Sequence, residues 1–437
     1  MIGKPKPESP FTPIGWGLAL QLALPSALTL VYPALVLRSV GVAPGEIAST
    51  LSWTLFALAA ATVLQSRRRG PIGSGLLLPS LSSGLHLAPS LLAIKLGGVP
   101  LLAGMTLFAG LSEAVFSCFL RWMRPLFTNS ITGLILFLVG MEIGLAGLHE
   151  IFTEAALRAA TPGGAIPVVV ISLVATMGIV LAWEKGGTLV KTVAPLVVFA
   201  AAAFLDALLG HRSVGAAMPI AAWPSLPGTD YAFRFELALP FLAASLASAI
   251  RTIGGVKVLH ETVEAPGSVR TAGGVSGDAA GTVLCGLAGS IGTCVALNSI
   301  PAEKAAETGN PRIAWLVAFL LCLLGFFPGL LGMIAGASAC AAGPLLIFYG
   351  IAMALPGLHE IEKDRDSPGF LWQVGVPFLL ALGTLTHDAW LQGAQAGLPP
   401  VAEAMLGSML SLGVFSALLI RLAILAFSKE KSRPGTT

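Results

Sequence analysis

Arg251 has the clearest chemical meaning in this chain because of where it sits. The run Leu237 to Val256 (LALPFLAASLASAIRTIGGV) is otherwise apolar and about as long as a helix needs to cross a bilayer. A guanidinium there is costly in lipid, so it is expected to face a protein-lined cavity and mark a solute path. Snorkelling to an interface is the competing account. It is disfavoured because roughly one and a half to two turns of apolar residues separate Arg251 from the nearest polar flank. Arg only donates hydrogen bonds, best to carboxylates and oxyanions, so the matching solute is anionic or rich in oxygen.

Two further stretches hold polar residues of matching pattern. One reads LPSLSSGLHLAP and then SLLAIK, with Ser83, Gly84 and His86. The other reads GTCVALNSIP and then AEKAAE, with Asn298, Ser299 and Glu303. Each has an extended-looking stretch, a proline, then a half-length helical stretch ending at Gly97 or Gly309. Proline suits a first helical turn and pushes the residue before it to extended geometry, so each reads as a strand followed by a half-helix. Irregular backbone at membrane depth is tolerated only where it lines a cavity or is buried in protein. The half-helix N-termini at Pro89 and Pro301 would point partial positive charge into that cavity. Counting back three residues from each proline lands on His86 and Asn298, which are expected to meet across the site.

Composition sets the class. The chain has 437 residues, 55% of them hydrophobic and 11% charged. With a mean hydropathy of +0.85, those values exclude a soluble globular protein and indicate an all-α polytopic membrane protein. A net charge of +3 without a basic run carries no nucleic-acid signal. Cys118, Cys285, Cys294, Cys322 and Cys340 form no CxxC or Cys/His cluster, so neither a metal, a cofactor nor a disulfide framework is expected. The first apolar segment is long and lacks a clear small-residue cleavage site, so it is expected to be retained as a span.

Apolar runs give about 14 segments, near 14–37, 48–65, 73–95, 99–120, 125–145, 165–183, 189–209, 236–257, 272–288, 291–307, 312–333, 338–356, 370–386 and 403–427. Basic residues fall in alternate connections, among them Lys4 and Lys6, Arg67 to Arg69, Arg121 and Arg124, Lys185 and Lys191, Lys257 and Arg270, Arg312, Lys363 and Arg365, and Lys429 to Arg433. The opposite connections, Val42 to Ser49 and His387 to Pro400, are poor in them, which puts both termini in the cytoplasm. The interrupted segments are the third and the tenth, the third of each half, as in a 7+7 inverted repeat with a midplane site.

These residues resemble the nucleobase–ascorbate transporter family, also called nucleobase–cation symporter-2 or the xanthine/uracil permeases. Gln21 resembles the family's glutamine-histidine motif, with Leu22 in place of the histidine. Arg69 to Gly75 with Ser82 and Ser83, then Arg124 to Phe127 with Ile131 to Gly133, resemble its third-span entry and its fourth-to-fifth connection. Gly277 to Thr282 and Gly343 to Gly357 resemble its ninth and twelfth spans. The resemblance implies a core domain (14–123 and 236–335) and a gate domain (124–210 and 336–428). It further implies an elevator-type displacement of the core and a homodimer through the gates. The departures set this chain apart. Arg251-Thr252-Ile253-Gly254 stands where the family carries Glu-x-x-Gly, and Asn298 and Ser299 take the usual Glu-Asn or Gln-Asn places.

The expected substrate-binding residues are therefore Arg251, Asn298, Ser299, His86, Ser83 and Gly84. His86 and Glu303 are coupling candidates. His86 is either a buried ring satisfied by backbone or a titrating solute contact, and Glu303 is either an N-terminal helix charge or a partner for Arg251. Asp278 is expected to bond backbone between spans, and Glu113 or Asp206 to form interface pairs. The expected function is secondary transport of a xanthine- or urate-like base or a small carboxylate in an integral inner or plasma membrane protein. An uncoupled anion channel or exchanger resembling sulfate permeases is the alternative. No clustered acids or activated nucleophile suggest an enzyme.

Overall fold

The computed structural model describes residues 10–68, 70–126, 128–159, 164–209, 223–225, 228, 230–265, 267–306, 310–367, 369–386, 406 and 409–431. Arg69, Phe127, the loop 387–400, Glu307, Lys4, Lys6, Arg433 and the side chains of Asn298, Lys429 and Lys431 lie outside that set.

Each expected segment has a counterpart. Segment 1 is α1 (Pro13–Leu28) and α2 (Val31–Arg38), and segment 2 is α3 (Pro44–Gln65). Segment 3 is β1 (Ser80–Ser82), a 3-10 turn (Gly84–His86) and the first part of α4 (Leu87–Met123). Segment 4 is the remainder of α4, beyond a break at Gly97 and Gly98, where Gly98 has φ 68°. Segments 5 to 9 are α5 (Asn129–Arg158), α6 (Ala165–Lys185), α7 (Thr188–Leu208), α8 (Ala238–Thr262) and α9 (Thr271–Leu287). Segment 10 is β2 (Thr293–Val295), a 3-10 turn (Leu297–Ser299) and α10 (Ile300–Ala305). Segment 11 is α11 (Ile313–Gly325) and α12 (Pro328–Ala335), bent by 80°. Segment 12 is α13 (Ala339–Glu362), segment 13 ends in α14 (Val376–Gly383), and segment 14 is α15 (Met409–Lys431). Among the described residues nine helices, or ten if the bent pair is one span, are long and apolar enough to cross a membrane. The difference from 14 arises because segments 3 and 4 run together in α4, segment 11 is bent, and the helices of segments 9, 10 and 13 are too short.

Caps fit the sequence. Thr12 caps α1 by accepting from Gly15 N, with Pro13 next in the first turn, and Thr128 caps α5 by accepting from Ile131 N. Prolines at 44 and 328 open α3 and α12 in the same way.

The strands form an antiparallel two-stranded ribbon in the register Ser80–Val295, Leu81–Cys294 and Ser82–Thr293. A bare ribbon exposes unpaired backbone along both outer edges, which membrane depth does not permit. Hydroxyls from neighbouring helices cover them. Along β1, Ser26 Oγ donates to Ser80 O, while Ser80 N and Ser82 N donate to Thr62 Oγ1 and Thr29 Oγ1. Along β2, Ser248 Oγ donates to Thr293 O and Thr293 N donates to Thr282 Oγ1. Segments 1 and 2 serve the first strand as segments 8 and 9 serve the second, so the repeat is written into the hydrogen bonds.

Around the ribbon, α4 packs on α8 and α9, α3 on α9 and α11, and α1 on α11. A second group is built on α5 and α13, with α6, α7, α14 and α15 against them. The outward faces of α6 and α7 are apolar and open, with Leu173 65% and Val174 66% exposed, as befits contact with lipid or a second chain.

Candidate functional site

Alternation along the ribbon puts Leu81, Ser83 and Cys294 on one face and Ser80, Ser82 and Thr293 on the other. Arg251, on α8, is within electrostatic reach of Cys294 and of Tyr32, the second residue of α2. Its Nη1 lies 3.2 Å from Met353 Sδ on α13, a weak acceptor, and its Nε is buried without a hydrogen-bond partner. No carboxylate pairs with it among the described residues. A half-buried cation whose neighbours are a tyrosine, a thiol and a thioether is incompletely satisfied, and an anionic or carbonyl-rich solute would satisfy it.

The opposite wall comes from the second helix group. Tyr349 of α13 meets Tyr32 with ring centroids 5.8 Å apart, and Ile143 of α5 packs directly over Gly84. A Cβ on Gly84 would lie 2.3 Å from Ile143 Cδ1, so a larger residue in this turn would have to push that side chain aside. On the ribbon side, Leu297 covers Gly255, one turn beyond Arg251. The site is thus the seam between the two groups, walled by Tyr32, Gly84, Arg251 and Leu297 on one side and by Ile143, Tyr349 and Met353 on the other.

The expected residues fall out unevenly. Arg251, Ser83 and Gly84 lie at this seam, with Ser83 Oγ occupied in accepting from Leu85 N. His86 lies on a turn that leaves the ribbon at the end opposite the 297–299 turn, contrary to the expected meeting across the site. Its ring lies flat on Gly292, where a Cβ would come within 2.8 Å of three ring carbons, and neither ring nitrogen has a partner among the described residues. The ribbon's sense explains this correction. Ser83 N bonds Gly292 O and Ala296 N bonds Pro79 O, so the two 3-10 turns leave from opposite ends. Four strand residues separate those exits, roughly 13 Å. Ser299 Oγ donates to Ala296 O, and Glu303 is buried beside Ser299 with no hydrogen-bond partner among the described residues, Arg251 included.

The other intramembrane acids have identifiable roles. Asp206 takes Arg158 in two hydrogen bonds of 2.6 and 3.1 Å, the expected interface pair. Glu142 accepts from Leu410 N and caps the start of α15. Asp278 is corrected from a backbone acceptor to an acceptor of hydroxyls from Ser248, Thr252 and Thr293. The sequence reading passed over Tyr32, Ile143, Tyr349 and Met353. A signal existed, since the chain has only three tyrosines and two of them meet here.

A cleft of about 920 Å³, lined by Arg67, Arg68, Gly70, Arg312 and Trp315, lies at the end of α3, away from the ribbon. Its arginines and exposed tryptophan are what a membrane–water boundary carries, so it is not taken as the solute site.

One ion pair crosses the seam at its edge. Arg38, at the end of α2, meets Glu150 of α5 at 2.5 Å and also donates to Ala337 O. Both side chains are about a quarter to a third exposed, so the pair contributes at most about 1 kcal/mol. That energy is small for folding but sufficient to bias a two-state seam. Glu150→Gln is expected to leave the melting temperature almost unchanged. It should raise the labelling rate of buried Cys294, from the face carrying Arg38, by up to about fivefold. Unchanged labelling by an impermeant maleimide would mean that the pair does not hold the seam shut.

An interrupted-helix ribbon with two half-helix N-termini, facing a second helix group across a seam, defines a membrane permease rather than an enzyme. A family model described as "Permease family", that of the xanthine/uracil permeases, matches residues 17–389, and the chain belongs to that family. Xanthine permease XanP of Escherichia coli (strain K12) is 23% identical over 426 residues, covering 92% of this chain and 90% of XanP. The putative purine permease CPE0397 of Clostridium perfringens (strain 13 / Type A) is 21% identical over 397 residues, 90% of this chain and 86% of that one. Among solved structures, the murine Slc26a9 anion transporter in its inward-facing state shares the fold with a TM-score of 0.61 at 11% identity, over 94% of this chain and 68% of that chain. The transmembrane domain of the cyanobacterial bicarbonate transporter BicA matches with a TM-score of 0.51 at 14% identity, over 92% and 97% of the two chains. The protein is an integral membrane transporter of a small solute.

Proposed function

We propose that this protein is a secondary transporter of an anionic or oxygen-rich purine of the xanthine or urate type, bound at the seam by Arg251. The observation that carries this reading is Arg251 itself, half-buried beside Tyr32 and Cys294, with its Nε unpartnered and no carboxylate paired with it among the described residues. Ser83, Gly84, Asn298 and Ser299 would supply backbone and side-chain donors to the solute's oxygens, and Tyr32 and Tyr349 flat surfaces for a ring. The relatives' printed names, xanthine and purine permeases, point to the same substrate class.

In this reading the helices around the ribbon (14–123 and 236–335) act as the core and those around α5 and α13 (124–210 and 336–428) as the gate. Sliding of the core past the seam would carry the solute across. Two chains would meet through the gates, both termini would lie in the cytoplasm, and His86 and Glu303 would be candidates for ion coupling because both are buried without partners among the described residues.

A second reading, an uncoupled anion channel or exchanger, is favoured by the same arginine together with the likeness of fold to anion transporters. A thermal-shift screen of the purified protein against xanthine, urate, uracil, ascorbate, dicarboxylates, bicarbonate and sulfate separates them. A ligand at a hundred times its Kd adds about 2.7 kcal/mol to the stability of the folded state. Stabilisation by xanthine or urate supports the purine reading. Stabilisation by inorganic anions alone, with transport that neither saturates nor responds to substrate on the far side, supports the second.

A further inference from the structure

Glu113 lies on the second part of α4, fully buried, and neither carboxyl oxygen has a hydrogen-bond partner among the described residues. It faces Asp278 of α9 and Ser248 of α8, close enough to interact with both but outside hydrogen-bond geometry. The two helices are in tight contact here. A Cβ on Gly110 would lie 2.7 Å from Val283 N and 3.0 Å from Ala279 O, and one turn the other way Ser276 Oγ donates to Ser117 Oγ at 2.9 Å.

Asp278 is served quite differently. Its Oδ2 accepts from Ser248 Oγ at 2.7 Å and Thr252 Oγ1 at 2.9 Å, and its Oδ1 from Thr293 Oγ1 at 3.0 Å. Of two neighbouring buried carboxyls, one has three hydroxyls turned to it and the other has none. Negative charge therefore belongs on Asp278 and a proton on Glu113, since two adjacent carboxylates do not both ionise in a low-dielectric site.

We propose that Glu113 and Asp278 hold one exchangeable proton between them, with Glu113 as its carrier, and that this proton is coupled to movement of the solute. The coupling half of the proposal rests on the reading of the protein as a secondary transporter. The other titratable groups around the pair are Cys285 on α9 and Cys294 on β2, with Arg251 beyond Cys294.

Two bonds tie the pair to the seam. Thr252 follows Arg251 directly on α8, and Thr293 belongs to the strand whose other face carries Cys294. A solute that draws Arg251 or the ribbon toward it moves the hydroxyls that hold the charge on Asp278. On release, the Glu113 O–H bond breaks and its proton passes toward water along the Ser117 and Ser276 hydroxyls, leaving a carboxylate. Repulsion from Asp278 then favours recapture of a proton from the opposite side.

The test uses the full-length protein in proteoliposomes, comparing wild type with Glu113→Gln. Xanthine counterflow, which needs no ion gradient, is expected to stay within about twofold in Glu113→Gln. One pH unit across the membrane supports about tenfold accumulation for one coupled proton, and Glu113→Gln is expected to lose that accumulation while keeping counterflow. Undiminished accumulation in Glu113→Gln overturns the proposal. Infrared difference spectra between acid and alkaline buffer give a readout independent of substrate. One component of the protonated-carboxyl C=O band is expected in wild type and lost in Glu113→Gln, and identical bands in both proteins overturn the proposal. Should wild type move no xanthine at all, the transport reading fails while the infrared comparison still decides where the proton sits. Asp278→Asn, which keeps the shape and removes the second carboxyl, is the further variant if Glu113→Gln does not fold.

Discussion

Arg251→Ala is expected to abolish stabilisation by anionic purines and to cut their uptake by two orders of magnitude or thereabouts. Truncating one partner of a buried, hydrogen-bonded charge pair costs about 2–5 kcal/mol, or roughly thirtyfold to several thousandfold in Kd. The empty protein should behave in the opposite way. Among the described residues Arg251 has no carboxylate to neutralise it and no partner on Nε, so deleting it removes a half-buried, incompletely satisfied charge. The melting temperature without ligand is expected to stay level or rise. That pairing, weaker binding without weaker folding, is what separates a solute contact from a structural one. A structural arginine lost from the seam would lower the melting temperature and leave the ligand shift in place.

Arg251→Glu takes the argument a step further. It restores the acidic residue of the family pattern and turns the site from a donor of hydrogen bonds into an acceptor. Preference should move from anionic bases toward neutral bases that present N–H groups, such as uracil. A rise in uracil-dependent stabilisation together with loss of the urate response in the same variant would establish that one residue sets the choice. A variant that binds neither, while still folded, would place the selectivity in the ribbon instead.

Most of what positions Arg251 is legible in the sequence. Pro89 and Pro301 mark the starts of the half-helices, and Gly98 marks where the first one ends, because few other residues adopt its φ of 68°. The break inside segment 1, at Thr29 and Leu30, is less legible, although Pro25 lies just upstream of it. The 80° bend of segment 11 at Phe326 and Phe327 precedes a proline and was open to reading. Local sequence carries no information on the sense in which two distant strands pair. For that reason His86 was matched with Asn298 by counting and is found against Gly292. The gate-side wall was hidden for a similar cause, since Ile143, Tyr349 and Met353 sit in helices whose own pattern records only that they are apolar.

The helix crossing that holds that wall should be the most sensitive structural element of the protein. Gly133, Gly140 and Gly147 recur every seven residues along α5, and Gly343, Gly350 and Gly357 do the same along α13. The two helices run antiparallel, so Gly133 meets Gly357, Gly140 meets Gly350 and Gly147 meets Gly343. A Cβ on Gly140 would stand 2.5 Å from Ala354 N and 2.6 Å from Gly350 O, and one on Gly350 would stand 2.6 Å from Gly140 O. These are backbone atoms, which cannot swing aside as a side chain does. Between helices in lipid, where no hydrophobic drive holds them together, such close backbone approach supplies much of the attraction. Gly140→Ala or Gly350→Ala is therefore expected to cost about 1–3 kcal/mol or more, with valine worse than alanine. Gly144 lies on the same helix with its nearest neighbour 4.0 Å away, so Gly144→Ala should be neutral or gain some of the roughly 1 kcal/mol that alanine holds over glycine in a helix. Opposite signs for two identical substitutions four residues apart, read as melting temperatures of the purified variants, would establish the crossing. Equal melting temperatures would mean that α5 and α13 do not touch at Gly140, and that Tyr349 and Met353, which ride on α13, do not face Arg251 as described.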